Sequence, residues 1–146
     1  MDMKTICIID GQGGGIGSAI IKNLHGSGHN TFEIIALGTN AIATTQMLKA
    51  GANRGASGEN AIVQTVQKVD IIIGPVSIIA ANAMMGEITP KIAEAVSSCP
   101  ARKYLLPLTQ ENIEIVGVSP LPLPHLIQML TNKSLKSFMI DPDPGS

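Results

Sequence analysis

The residues with most chemistry to offer are Asp10-Gly11-Gln12-Gly13-Gly14-Gly15-Ile16-Gly17. They follow a short apolar run, Thr5 to Ile9, and lead into Ile16, Ile20 and Leu24, which recur every fourth residue as one stripe of a helix. Strand, glycine loop and helix in that order aim backbone N–H groups and the positive end of a helix dipole at one point, a place for a phosphate or another anion. Glycine matters there because a Cβ would hold the anion off the backbone. Gly11, Gln12, Gly13, Gly14, Gly15, Ile16 and Gly17 are therefore the candidate cradle, with the N–H groups from Gly13 to Gly17 as donors to the phosphate. Two more turns follow apolar runs of the same kind: Gly38-Thr39-Asn40 after Phe32 to Leu37, and Gly74-Pro75 after Val69 to Ile73. In a parallel sheet all three turns open on the carboxyl edge, where open α/β sheets bind their ligands. Thr39 and Asn40 would then face a ribose, and Gly74 and Pro75 would flank a base.

The charged and nucleophilic residues add little to this. Asp10 stands beside the cradle, where a carboxylate repels phosphate unless a cation intervenes or its oxygens accept N–H bonds within the turn; the turn role is the expected one. Glu59 and Glu87 sit near helix starts, where the dipole is worth about 0.3 to 1 kcal/mol to them. His125 reaches a ligand only if the last helix folds over the carboxyl edge, and His25 and His29 flank a Gly-Ser turn as solvated side chains. Cys7 reads as a small core hydrophobe, Cys99 has no cationic neighbour in sequence to activate it, and the pair has no metal-type spacing. No catalytic residue and no metal site is assigned.

Composition narrows the partners. The chain has 146 residues, one domain's worth, of which 45% are hydrophobic and 14% charged, against roughly 25% charged in an average soluble domain. Ten Lys and Arg against eleven Asp and Glu leave a net charge of −1, with no basic stripe for nucleic acid or anionic lipid. One Tyr, two Phe and no Trp are too few to stack bases or a flavin. The uncharged run Ile71 to Gly86 is interrupted by Gly74, Pro75 and Asn82, and a spanning helix needs about 20 apolar residues. The expectation is a cytoplasmic protein with no membrane segment and a small phosphate-bearing ligand.

The elements that must position the cradle can be read in turn. The first helix ends in Gly26-Ser27-Gly28, and Thr39 or Asn40 caps a second that carries Ala43, Met47 and Ala50. Gly51 to Gly58 reads as a loop, Ser57 as the cap of a helix from Glu59 to Gln67 with Ile62 and Val66 inward. Val76 to Met85 reads as a helix apolar on every side, which needs burial all round; a homo-oligomer with this segment at its interface is the expected source. Ile88, Ile92, Ala95 and Val96 mark an amphipathic helix ending near Ser98. Lys103 to Leu106 and Asn112 to Val118 read as strands four and five, and their connection of about five residues is too short for a parallel crossover, so the last should be antiparallel or at the edge. Pro120, Pro122 and Pro124 stiffen a loop before a helix with Leu126, Ile127 and Leu130. The fold class is α/β: one Rossmann-like three-layer domain over residues 1–136, with a mostly parallel sheet of about five strands, and a flexible tail at 137–146.

Two resemblances bear on this reading. Gly11, three residues, then Gly15-Ile16-Gly17 resembles the loop of the short-chain dehydrogenases over the first 40 or so residues, which implies a Rossmann sheet and NAD or NADP as ligand. Where such a site has an acidic residue for the ribose, this chain has Leu37-Gly38-Thr39-Asn40, without carboxylate, Arg or Lys. Tyr104 is followed four residues on by Leu108, not Lys, so the chemistry of that family does not carry over. Nearly the whole chain up to about Asn132 resembles an uncharacterised bacterial family of small Rossmann-like proteins, domain of unknown function 3842. The matching stretches include Ile9 to Gly17, Ala36 to Ala41, Lys49-Ala50-Gly51-Ala52, Gly58-Glu59-Asn60-Ala61, Asp70 to Pro75 and Asn112 to Val118. Together these lead to a protein that binds a nucleotide or another phosphate-bearing metabolite at Gly11 to Gly17, with NAD(P) the leading candidate; the alternative is a non-catalytic oligomeric scaffold or regulatory protein without a nucleotide.

Overall fold

The computed structural model describes residues 3–26, 31–108 and 112–140. Five strands, β1 (Lys4–Asp10), β2 (Phe32–Gly38), β3 (Arg54–Ser57), β4 (Ile71–Pro75) and β5 (Arg102–Leu106), form one sheet in the order β3-β2-β1-β4-β5. Every neighbouring pair is parallel. The continuous apolar runs explain the central three, because a parallel strand covered on both faces has no polar side to alternate with. Ile6, Ile8, Ile71 and Ile73 face a layer made by α1 (Gly15–Gly26), α2 (Ala41–Ala50), α5 (Leu123–Met129) and α6 (Leu135–Ile140). Cys7, Ile9, Ile35, Leu37 and Ile72 face α3 (Glu59–Thr65) and α4 (Pro90–Ser98). The α/β, three-layer architecture read from the sequence is the observed one.

Three local expectations are corrected. Arg54 to Ser57, read as loop, is an edge strand: its backbone pairs with Ile35 to Gly38. Arg-Gly-Ala-Ser has no strand pattern of its own, and the β2 ladder recruits it. Asn112 to Val118 is irregular, and the last strand of the sheet is β5, which lies at the edge and runs parallel. Val76 to Met85 is not a helix: one tight turn over Val76–Ile79 gives way to a succession of turns in which Asn82, Met84 and Met85 take φ of 69°, 57° and 57° and Gly86 takes 89°. Left-handed residues cannot propagate a right-handed helix. Ile78 and Ala83 are buried within the chain, and Met85 is left 94% exposed. Only part of the segment, Ile78 and Ala83, thus enters the monomer's own core.

The caps of the remaining helices are in part the expected ones. Asn40 caps α2 by accepting from the Ala43 N–H at 2.8 Å. Thr89 caps α4, accepting from the Ile92 N–H at 3.2 Å. Gly58, not Ser57, occupies the cap position of α3; the Ser57 hydroxyl donates instead to Thr44 Oγ1 at 2.7 Å. The last helix runs to Ile140 and buries Leu135 and Phe138 in the core, beyond the boundary expected at residue 136. His29 and the end of the expected tail, residues 141–146, lie outside the described residues. Among the described residues no helix is long and apolar enough to cross a membrane.

Candidate functional site

Because all strands run the same way, the tips of β1, β2 and β4 share one edge. Asp10 sits opposite Gly38 in the β1/β2 register, and the Thr39 N–H donates to the Asp10 carbonyl at 3.0 Å. The Asp10 side chain is 4% exposed. Its Oδ1 accepts from the Gly11 N–H and its Oδ2 from the Gly17 N–H, both at 2.8 Å. Burial pushes its carboxyl above the ordinary aspartate range; the N–H groups of Gly17, Gly11 and Ile16 oppose that rise and the charge of Glu87 adds to it. Asp10 thus staples the end of β1 to the first turn of α1.

The residue that organises the site is Glu87. It is not at a helix start, since α4 begins at Pro90. Its Oε1 accepts three bonds, from the Gln12 N–H at 2.8 Å, the Thr39 hydroxyl at 2.5 Å and the Asn40 amide at 2.8 Å. Burial alone would raise its pKa, but the donors from Thr39, Gln12 and Asn40 outweigh it and leave the carboxyl below the ordinary glutamate range. Glu87 brings to the tip of β2 the carboxylate that Leu37 to Asn40 lack. Sequence spacing gave no route to it, because the partners are 48 and 47 residues away and the left-handed turns at Asn82 to Gly86 aim it. The available signal was Asn82 and Gly86, two residue types tolerant of positive φ, inside a run read as helix.

A pH prediction follows from the lowered carboxyl. A group whose folded pKa is depressed contributes stability above its unfolded pKa and loses it as pH falls through the folded value. Glu87→Gln should therefore melt lower than the parent at neutral pH, and the gap should close below the ordinary glutamate range. Melting curves across an acid series check this; a gap that stays constant with pH would assign the loss to geometry alone.

The glycine loop is less open than its sequence suggests. The Gly14 N–H donates to the Gly11 carbonyl at 2.9 Å, the Gly17 N–H to Asp10 and the Gln12 N–H to Glu87. Gly11 is buried, and a Cβ on it would meet Thr39 Oγ1, Met84 Sδ and Glu87 Oε1 within 3.0 Å. Gly14, at φ +74°, lies against the Ala43 backbone, and Gly17 lies against Met47. Of the loop's five glycines, only Gly13 and Gly15 are exposed with nothing within 4 Å of an added Cβ. Their N–H groups have no protein acceptor among the described residues. Ile16 is half-buried, and its N–H bears on Asp10. The cradle contracts to Gly13 and Gly15 at the start of α1.

The other two turns build the edge rather than line it. The Gly38 N–H donates to Thr44 Oγ1 at 3.1 Å, and a Cβ there would come within 2.7 Å of the Asn40 carbonyl. Gly74 is pressed on the Ile9 carbonyl, 2.5 Å from where its Cβ would stand, and Pro75 is buried beside it. Thr39 and Asn40 spend their donors on Glu87, with Asn40 also reaching the Gln12 carbonyl at 3.0 Å. Glu59 accepts from the Thr89 hydroxyl at 2.7 Å and ties α3 to the start of α4. His125 is exposed in the first turn of α5 and His25 bonds the Gly51 carbonyl at 2.7 Å. Cys7 is buried with its thiol pushed up to about 12, by burial first and by Cys99 second. The buried Cys99 thiol donates to the Val96 carbonyl at 3.2 Å.

A search of the curated proteins found no match. The family described as Domain of unknown function (DUF3842) matches residues 5–139, a span that takes in the glycine loop, the whole of β2 to β5 and Glu87. With an α/β sheet, a stapled glycine loop and a family match over nearly its whole length, the chain belongs to the DUF3842 family.

Proposed function

We propose that this protein binds a nucleotide or another phosphate-bearing metabolite at the mouth of the glycine loop, with NAD(P) as the leading candidate. The observation that carries the reading is the pair of uncommitted, exposed N–H groups on Gly13 and Gly15 at the N-terminus of the 12-residue helix α1. Glu87 complements it. Its Oε1 is spent on Gln12, Thr39 and Asn40, while Oε2 takes no donor among the described residues and stands as an acceptor for a ribose hydroxyl. A carboxylate accepts hydroxyls and repels a 2′-phosphate, which favours NAD over NADP. Two free, buried thiols suit a reducing, cytoplasmic setting. No side chain at this site has the partners of a general base or nucleophile, so the reading is of binding, with no reaction assigned.

The test is thermal stabilisation by NAD, ADP and AMP. A ligand at a hundred times its Kd stabilises by about 2.7 kcal/mol, and Gly15→Asp should abolish the shift while leaving the apo melting temperature nearly unchanged, because its side chain enters open space. No shift with any of the three nucleotides, together with no adenine absorbance in the freshly purified protein, would sink the reading. The scaffold alternative would then stand, favoured by the exposed apolar residues Ile113, Ile115, Val116 and Val118.

A further inference from the structure

The two edges of the sheet are not alike, and the β5 edge is unfinished. The Arg102 N–H donates to the Asp70 carbonyl at 3.0 Å, on the β4 side. In a parallel ladder the bonding residues alternate, so Arg102 and Tyr104 turn their backbone groups to β4, and Lys103 and Leu105 turn theirs outward; past them the Leu106 carbonyl accepts from the Leu108 N–H at 2.7 Å. Those outward N–H and C=O groups have no backbone partner among the described residues. The segment that follows has the composition of a strand without being one. Ile113, Ile115, Val116 and Val118 are 47%, 39%, 89% and 46% exposed, and they line a cleft of about 490 Å³ with Pro107 and Pro120. Exposed β-branched residues in a chain that also carries an open strand edge make a template for pairing.

We propose that Asn112 to Val116 of one copy adds as an antiparallel strand to the β5 edge of a second copy, making a two-fold symmetric dimer. Charge and backbone direction together set the register; the Lys103 ammonium, with one donor on the Cys99 carbonyl, has two more to offer. β5 carries Arg102 and Lys103 and no acid, while Glu114 is the sole charge between Asn112 and Val118. Setting Glu114 opposite Lys103 places Asn112 opposite Leu105, so the two residues with outward backbone groups each become a hydrogen-bonded pair. Ile113 then falls beside Tyr104, an aromatic against a β-branched residue at a close, non-hydrogen-bonded position. The segment pairs with no strand among the described residues of its own chain, and the two-fold gives both copies the same complement at once. The interface differs from the one expected at Val76 to Met85, and it does not depend on the nucleotide reading.

Sizing with light scattering on the full chain at micromolar concentration should give twice the mass of one chain. Ile113→Asp, at a half-exposed position where the fold does not need the isoleucine, should weaken the dimer by at least ~10-fold in Kd. The double variant Lys103→Cys, Glu114→Cys, oxidised mildly, should form a disulfide between chains and run at double mass without reductant. A monodisperse monomer overturns the proposal. So does a disulfide closed within one chain, or a dimer that neither substitution affects.

Discussion

Replacing Asp10 with alanine is expected to lower the thermal midpoint by roughly 10 to 15 °C in a melt followed by circular dichroism or calorimetry. The carboxylate accepts from the Gly11 and Gly17 N–H groups at 2.8 Å each, in a site where it is 4% exposed. Hydrogen bonds to a charged group are worth about 1.5 to 3 kcal/mol each, and a buried donor left without an acceptor costs its full desolvation. Losing both comes to about 3 to 5 kcal/mol, since the burial cost that pushes the Asp10 carboxyl upward is recovered in part when the charge goes. Asp10→Asn separates the two contributions. It keeps one acceptor oxygen and drops the charge, so it should lose about half as much. The Asp10 carboxyl, raised in the folded state, favours folding most at low pH, and that contribution fades as pH rises through the folded value. The deficit of Asp10→Asn should therefore be larger in acid than at neutral pH. A midpoint for Asp10→Ala within a degree or two of the parent would show that the staple is dispensable.

Gly14→Ala is the second large effect, at about 3 kcal/mol, or roughly 10 °C. Gly14 holds φ at +74°, and a Cβ there would stand 2.9 Å from the Cα and carbonyl oxygen of Ala43. The obstacle is backbone in α2, which has no rotamer by which to yield. Relief would need α1 and α2 to separate where Gly17 and Met47 also touch. Gly13→Ala and Gly15→Ala are the internal controls: with nothing within 4 Å of either Cβ, each should stay within about 0.5 kcal/mol of the parent. Equal losses at all three positions would place the cost in general loop stiffness and remove the argument from α1–α2 contact.

The central strands were legible because each is a run of apolar residues too long to have a wet side, as in Ile6 to Ile9 and Ile71 to Ile73. Asn40 was legible as a cap because its side chain acts locally. What the sequence concealed is set by tertiary context. Arg54 to Ser57 becomes a strand only because β2 offers it a ladder. Ile113 to Val118 has the residues of a strand but no strand beside it among the described residues. The glycine loop was legible as a motif but not in its division of labour. Gly11, Gly14 and Gly17 are glycines for packing, and Gly13 and Gly15 face open space. Glu87 was hidden for a related reason: its place at the tip of β2 depends on backbone reversals at Asn82, Met84 and Met85, which a periodicity argument does not register.

The short edge strand β3 has a consequence for how far these molecules can grow. Its four residues end one side of the sheet with Arg54, whose guanidinium is paired at 2.6 Å with Glu33 in an ion pair open to solvent. Short length and a charged rim are the devices by which a sheet edge refuses further strands. With one blunt end and one receptive end, a sheet of this kind has a direction: strands can be added on the β5 side and not on the β3 side, so any growth is one-sided.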